Sequence, residues 1–143
     1  MSVAQSVFKI PRPLVEEMFE RARAASPEEC CGLLGGRGRR AESAYPLRNV
    51  SPRPEVAYEA APGELFDAQR RMRARGETLV AVYHSHPRSE DPVPSATDVR
   101  LAFYPSAVYL IIGLGGGAAR VLRGFRISEG EGRWEREGLE VEG

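Results

Sequence analysis

Both histidines of this chain stand one residue apart, in His84-Ser85-His86-Pro87, and Asp98 follows twelve residues after the second. The run fixes the local backbone on either side. Thr78–Tyr83 is apolar and β-branched, which predicts a buried strand leading into the histidines. In a strand, residues two apart point to one face, so both imidazoles share a side and Ser85 is turned away. Pro87 cannot donate to a ladder and ends the strand. Residues 88–94 form a polar, proline-containing loop, and Ser95 begins a helix expected to reach Phe103. Asp98 then sits in the first helical turn, where the helix dipole favours a carboxylate. The Ser95-x-x-Asp98 spacing also suits an N-terminal capping arrangement, which is compatible with any further role for the carboxylate.

Two imidazoles and one carboxylate give a nitrogen–oxygen ligand set of borderline hardness. Three protein ligands are enough for a zinc site and leave a coordination position for water. A hydrolase built on such a site needs one more carboxylate, close to the water yet off the metal, to move its proton.

The remaining chain reads as α+β, with strands outnumbering helices. Residues 5–10 suit a first strand. Leu14, Val15, Met18, Phe19 and Ala22 fall at helical spacing, with Glu16, Glu17, Glu20, Arg21 and Arg23 opposite, so an amphipathic helix is expected there. Cys31–Leu34 reads as a short buried strand, residues 43–50 as its partner and Val56–Ala60 as a further strand. A second helix starts at Pro62 and closes at Gly76. Its arginines 70, 71, 73 and 75 read as a solvated face. Ala107–Ile112 and Arg120–Ile127 form a hairpin pair after a glycine turn. Ser128–Gly143, with Trp134 as a packing anchor, is expected to give one edge strand and then fray.

Length and charge narrow the function classes. The 143 residues suit one domain, taken as 1–143 with a core at about 5–127. Basic and acidic residues balance at 20 each, which gives no pull toward nucleic acid or an anionic membrane. No stretch approaches the roughly 20 apolar residues that span a bilayer, and the start of the chain lacks signal-peptide character. The adjacent Cys30 and Cys31 make no disulfide framework, so a cytoplasmic setting is expected. They read as buried small hydrophobes, without the Cys-x-x-Cys spacing of a metal site.

The segment His84-Ser85-His86-Pro87, seven residues, then Ser95-Ala96-Thr97-Asp98 resembles the signature of the JAMM (MPN+) zinc metalloproteases at every defined position. That family also carries an upstream Glu-x-x-Gly, and Glu29-Cys30-Cys31-Gly32 is similar to it. The register selects Glu29 over Glu28. The resemblance covers roughly residues 5–127 and implies a cytidine-deaminase-like fold, a mixed β-sheet flanked by helices. It implies that His84, His86 and Asp98 hold one zinc ion per chain. Glu29 is then the general acid/base, and Ser95 donates a hydrogen bond to the water or to the tetrahedral oxyanion. Asn49 is expected near the cleft and receives no role.

The compactness of the chain is similar to the prokaryotic branch of the family. That branch implies a ubiquitin-like or sulfur-carrier protein substrate, cleaved at an amide bond at or near its C-terminal Gly-Gly tail. No nucleic-acid or membrane partner is expected; an apolar surface could pair two copies as a homodimer. Three alternatives stand beside this reading. A non-catalytic MPN scaffold for protein–protein interaction would lack the ligands. A cell-wall or phage-tail peptidase would act on muropeptides. A RadC-like protein, with its His-Asn-His-Pro motif and shorter spacer, would bind DNA.

Overall fold

The computed structural model describes residues 7–100, 102–117, 119–128 and 132–143. In chain order the elements are β1 (Val7–Pro11), α1 (Arg12–Ala25), β2 (Cys31–Arg37), β3 (Arg40–Leu47), α2 (Pro62–Ala74), β4 (Thr78–His86), α3 (Ala96–Arg100), β5 (Val108–Gly113), β6 (Val121–Ser128) and β7 (Arg133–Glu142). The strands form one mixed sheet in the order β1-β3-β2-β4-β5-β6-β7, and β7 pairs back onto β1 to close it. β2 is antiparallel to both β3 and β4, whereas β4 and β5 run parallel.

Alternation along the strands splits the core in two. Leu34, Tyr83, Leu110 and Ile112 pack with Val15, Met18, Phe19 and Ala22 of α1. Their neighbours Leu33, Val82, Tyr109 and Ile111 pack with Ala68 and Met72 of α2. Both faces of β5 are therefore covered, and all six of its residues are buried. This explains its unbroken apolar run, the pattern expected of a strand with no solvent side.

Gly32 is what lets β2 and β4 meet closely at the end that matters. It pairs with Tyr83, and a Cβ on it would lie 2.4 Å from the Tyr83 ring. The ring instead lies across the bare glycine backbone.

The structure departs from the sequence expectations in several places, among them β2, which runs on to Arg37 rather than ending at Leu34, and β3, which ends at Leu47 rather than 50. Residues 56–60 do not form a strand: the segment turns at 53–57 and makes only one isolated bridge, Asn49 to Ala60. β3 begins at Arg40 rather than 43, because Gly38 at φ +59° allows a tight return from Arg37. α3 ends at Arg100, and Leu101 lies outside the described residues, as do Gln5 and Ser6 of the expected first strand. The last strand is no edge: β7 is paired along β6 on one side and β1 on the other. Its charges are used in pairing, with Glu137 meeting Arg39 and Arg126, and Glu142 meeting Arg40.

Candidate metal centre

His84 and His86 project from the end of β4 on the α2-facing side, in line with Val82. Ser85 points the other way and is fully buried. Its Oγ accepts the Cys30 N–H at 2.8 Å, and its own N–H donates to the Cys30 carbonyl at 3.1 Å. The serine between the histidines therefore fastens the segment before β2, which carries Glu29, alongside β4.

Asp98 arrives from the first turn of α3, held by a reciprocal pair of bonds. Ser95 N–H donates to Asp98 Oδ2 at 2.9 Å, and Asp98 N–H donates to Ser95 Oγ at 3.0 Å. The loop before it is tied to the turn after β5 through Gly115 N–H to the Ser89 carbonyl, 2.9 Å, and Gly116 N–H to the Pro87 carbonyl, 2.8 Å.

These supports bring three atoms into a triangle. His84 Nε2, His86 Nε2 and Asp98 Oδ2 are each 3.1 Å from the other two. Ligand atoms at tetrahedral angles, about 2.0–2.1 Å from a zinc ion, stand about 3.3 Å apart. The residues thus fit such an ion in donor type and in spacing. In the metal-free protein the two rings are shifted in opposite senses: burial would lower the pKa of His86, but the hydrogen bond and charge of Asp98, with the charge of Glu29, raise it. Burial lowers the pKa of His84 despite the opposing pull of Asp98, which favours the neutral, ligating imidazole. Burial would raise Asp98, but its contacts with His84 and His86 and the Ser95 N–H hold it well below the usual carboxylate range.

Glu29 is buried at 5 % exposure, and a carboxylate oxygen of it lies within 4.8 Å of ring nitrogens of His84 and His86. Burial, partly offset by His86 and reinforced by Asp98, pushes its pKa from 4.5 up to about 7. Its Oε1 is buried with no hydrogen-bond partner among the described residues. A carboxylate oxygen left so is costly unless something else occupies its surroundings. All five residues singled out from the sequence, Glu29, His84, His86, Ser95 and Asp98, therefore meet at one end of the β2–β4 pair.

Three contributors escaped the sequence reading. Tyr58 stacks on the His84 ring, centroids 4.4 Å apart at 26°; His84 Nδ1 has no hydrogen-bond partner among the described residues, so this ring contact constrains the imidazole plane. Asn49 holds the loop that carries Tyr58. Ser85 was read only as turned away. Beside the triangle, on the same sheet face, an apolar cavity of about 370 Å³ is lined by Leu33, Val82 and Tyr109 of the sheet, Leu65 of α2, Tyr58 and Phe103. Neither cysteine is among the clustered metal-ligating atoms of the described residues, although Cys31 stands opposite His84 in the β2–β4 ladder. Burial pushes the Cys31 thiol up to about 12, and raises that of Cys30 as well.

Comparison with known proteins agrees with this geometry. Residues 11–128 match the family model described as prokaryotic homologs of the JAB domain. The chain is 45 % identical over 94 residues to a desampylase of Haloferax volcanii, covering 64 % of this chain and 67 % of that protein. It is 37 % identical over 125 residues to a probable TtuB-protein conjugate cleaving protease of Thermus thermophilus, covering 87 % and 79 %. It is 36 % identical over 126 residues to the CysO-cysteine peptidase of Mycobacterium tuberculosis, covering 87 % and 85 %. Among solved structures, a protein of Desulfitobacterium hafniense superposes with a TM-score of 0.82 at 37 % identity, covering 94 % of this chain and 92 % of that one. A JAB1/MPN domain protein of Archaeoglobus fulgidus shares the fold with a TM-score of 0.59 at 18 % identity, covering 95 % and 100 %. The strands, the helices on both sheet faces and the matched family model together place this chain in the prokaryotic JAB-domain family, the prokaryotic branch of the JAMM/MPN proteins.

Proposed function

We propose that this chain is a zinc-dependent hydrolase that cleaves an amide or isopeptide bond at or near the C-terminal Gly-Gly tail of a ubiquitin-like or sulfur-carrier protein. The observation that carries the reading is the buried Glu29 carboxylate beside the 3.1 Å triangle, its Oε1 without a hydrogen-bond partner among the described residues. A scaffold has no use for a carboxylate held at that energetic cost. The names of the relatives, a desampylase, a conjugate cleaving protease and a CysO-cysteine peptidase, support the substrate class.

His84, His86 and Asp98 would hold the metal. Zinc bound there supplies a Lewis acid for a carbonyl and an acidified water. Glu29, with a pKa raised toward 7 in the metal-free protein, takes up a proton at Oε1 and returns it to the leaving nitrogen. Ser95 Oγ already accepts the Asp98 N–H, so its hydroxyl proton remains to be donated to an oxygen that gains negative charge. The apolar cavity beyond Tyr58 offers room for the substrate tail. We take residues 1–143 as a single domain, because both apolar clusters line the two faces of one sheet. None of the described helices is long and apolar enough to cross a membrane, and we place the reaction in the cytoplasm.

Elemental analysis and a cleavage assay test this together. The substrates are carrier proteins bearing a peptide or amino acid joined through the Gly-Gly terminus. Wild type is expected to bind one zinc and release the adduct. Glu29→Gln is expected to keep the zinc and lose turnover, whereas His84→Ala and Asp98→Ala lose both. Cleavage that persists in chelator or in the Glu29 variant refutes the mechanism; no cleavage across the panel refutes the substrate class.

A further inference from the structure

Asn49 uses every hydrogen-bonding position of its carboxamide. Nδ2 donates to the Glu29 carbonyl at 2.9 Å and the Ala57 carbonyl at 3.1 Å, and Oδ1 accepts from Ser51 N–H at 2.9 Å and Glu59 N–H at 3.1 Å. A primary amide has two N–H donors and two acceptor lone pairs, so the group is saturated. The orientation of the amide is unambiguous: carbonyls surround one end and backbone N–H groups the other. A third, longer approach of Nδ2 to the Pro54 carbonyl, 3.5 Å, runs the same way.

The partners are what make this more than a loop tie. Ala57 and Glu59 flank Tyr58, whose ring lies on His84. Glu29 carries the buried Oε1 without a hydrogen-bond partner among the described residues, and its N–H donates at 2.7 Å to the Pro54 carbonyl of the same loop. One half-buried side chain thus touches the main chain on both sides of the ring behind a metal-ligand residue and the main chain of the acid/base. Neither Glu29 nor Tyr58 lies in regular structure; besides this amide, the segment is tied by the backbone bonds of Val50 N–H to the Glu59 carbonyl, 2.8 Å, and Ala61 N–H to the Arg48 carbonyl, 3.2 Å.

We propose that Asn49 is a positioning residue for the hydrolytic site, fixing the Glu29 backbone and the Tyr58 ring relative to each other and to His84. The proposal rests on the hydrolase reading above. Its effect is on geometry in the reacting state: displacement of an acid/base by about 1 Å can cost about 10²-fold in rate. Metal binding is left to His84, His86 and Asp98, none of which Asn49 touches.

Two substitutions separate the donors from the acceptors. Asn49→Asp keeps the acceptor for Ser51 and Glu59 but turns an anionic oxygen toward the Glu29 and Ala57 carbonyls. Asn49→Ala removes all four bonds. Both are made in the full chain, loaded with zinc, and compared with wild type in zinc content, kcat and KM on the carrier substrate. The ring-proton resonance of His84, shifted by the stacked Tyr58, is followed by NMR. For Asn49→Asp the expected outcome is about a 10–100-fold fall in kcat with zinc content and KM held, and a His84 resonance moved from its wild-type position. Support requires both. Wild-type kcat, a loss of kcat that only tracks lost zinc, or an unmoved resonance each overturns the proposal. If Asn49→Ala does not fold, Asn49→Asp alone decides by the same criteria. If wild type cleaves none of the carriers, the hydrolase reading has failed independently, and the resonance decides the positioning claim: moved supports it, unmoved refutes it.

Discussion

Replacing Glu29 with glutamine is expected to stabilise the metal-free protein, and to do so only where the glutamate would be charged. The reasoning is proton linkage. Glu29 is 5 % exposed, and its pKa rises from 4.5 to about 7 on folding. Below pH 4.5 the group is protonated in both states and costs nothing. As pH rises the unfolded chain ionises first, which draws the equilibrium toward unfolding; the loss grows until the folded group ionises near pH 7 and is constant above. At about 1.36 kcal/mol per pH unit, the interval from 4.5 to about 7 amounts to about 3 kcal/mol. Glutamine has no proton to lose and resembles the neutral acid in shape. Urea unfolding in chelator at pH 4 and pH 8 gives the four stabilities needed. The advantage of Glu29→Gln over wild type should be about 3 kcal/mol larger at pH 8 than at pH 4. With zinc bound the gap should narrow, since a nearby cation favours the carboxylate. An advantage that does not change with pH, or one larger at pH 4, refutes the assignment of Glu29 as a carboxylate whose charge is destabilised by burial.

Three further outcomes follow from the packing. Gly32→Ala should lower stability by about 1–3 kcal/mol, because its Cβ would meet the Tyr83 ring at 2.4 Å; calorimetry of the single variant and of its combination with Tyr83→Leu should show partial recovery in the double. Tyr45→Phe should cost about 1.5–3 kcal/mol in chemical denaturation, since it removes a 2.7 Å hydrogen bond to the buried Glu77 carboxylate. Cys31, its thiol pushed up to about 12, should resist alkylation in the folded protein at pH 8, where only about one thiol in 10⁴ would be ionised, and should react at an ordinary rate once urea unfolds the chain.

The histidine pair, the spacer and Ser95-x-x-Asp98 were legible because their geometry is local: strand alternation aims two imidazoles one way, and a helix start aims a carboxylate. Glu29 needed the register of Glu-x-x-Gly, and Gly32 shows the physical content of that register, a bare backbone under Tyr83. Tyr58 and Asn49 were not legible. They lie between prolines, on a segment with no periodicity, and their partners at positions 29 and 84 are distant in sequence. From sequence β7 resembles an edge, because its alternation is of arginine and glutamate with few apolar residues. That pattern suits solvent equally well, and only the arginines of β3, β6 and the β2–β3 turn reveal its use.

The register of β1 beside β7, with Val7 opposite Gly138 and Pro11 opposite Glu142, sets an order of events during synthesis. The first strand must wait for β7 to leave the ribosome before its hydrogen bonds on that side can be made. Contacts so remote along the chain slow folding, and an unpaired strand is a template for wrong partners while it waits. Helix α1 follows β1 immediately and packs on Phe8 and Ile10 within the same cluster. It gives the nascent strand an early local partner, a chaperone supplied by the next fourteen residues.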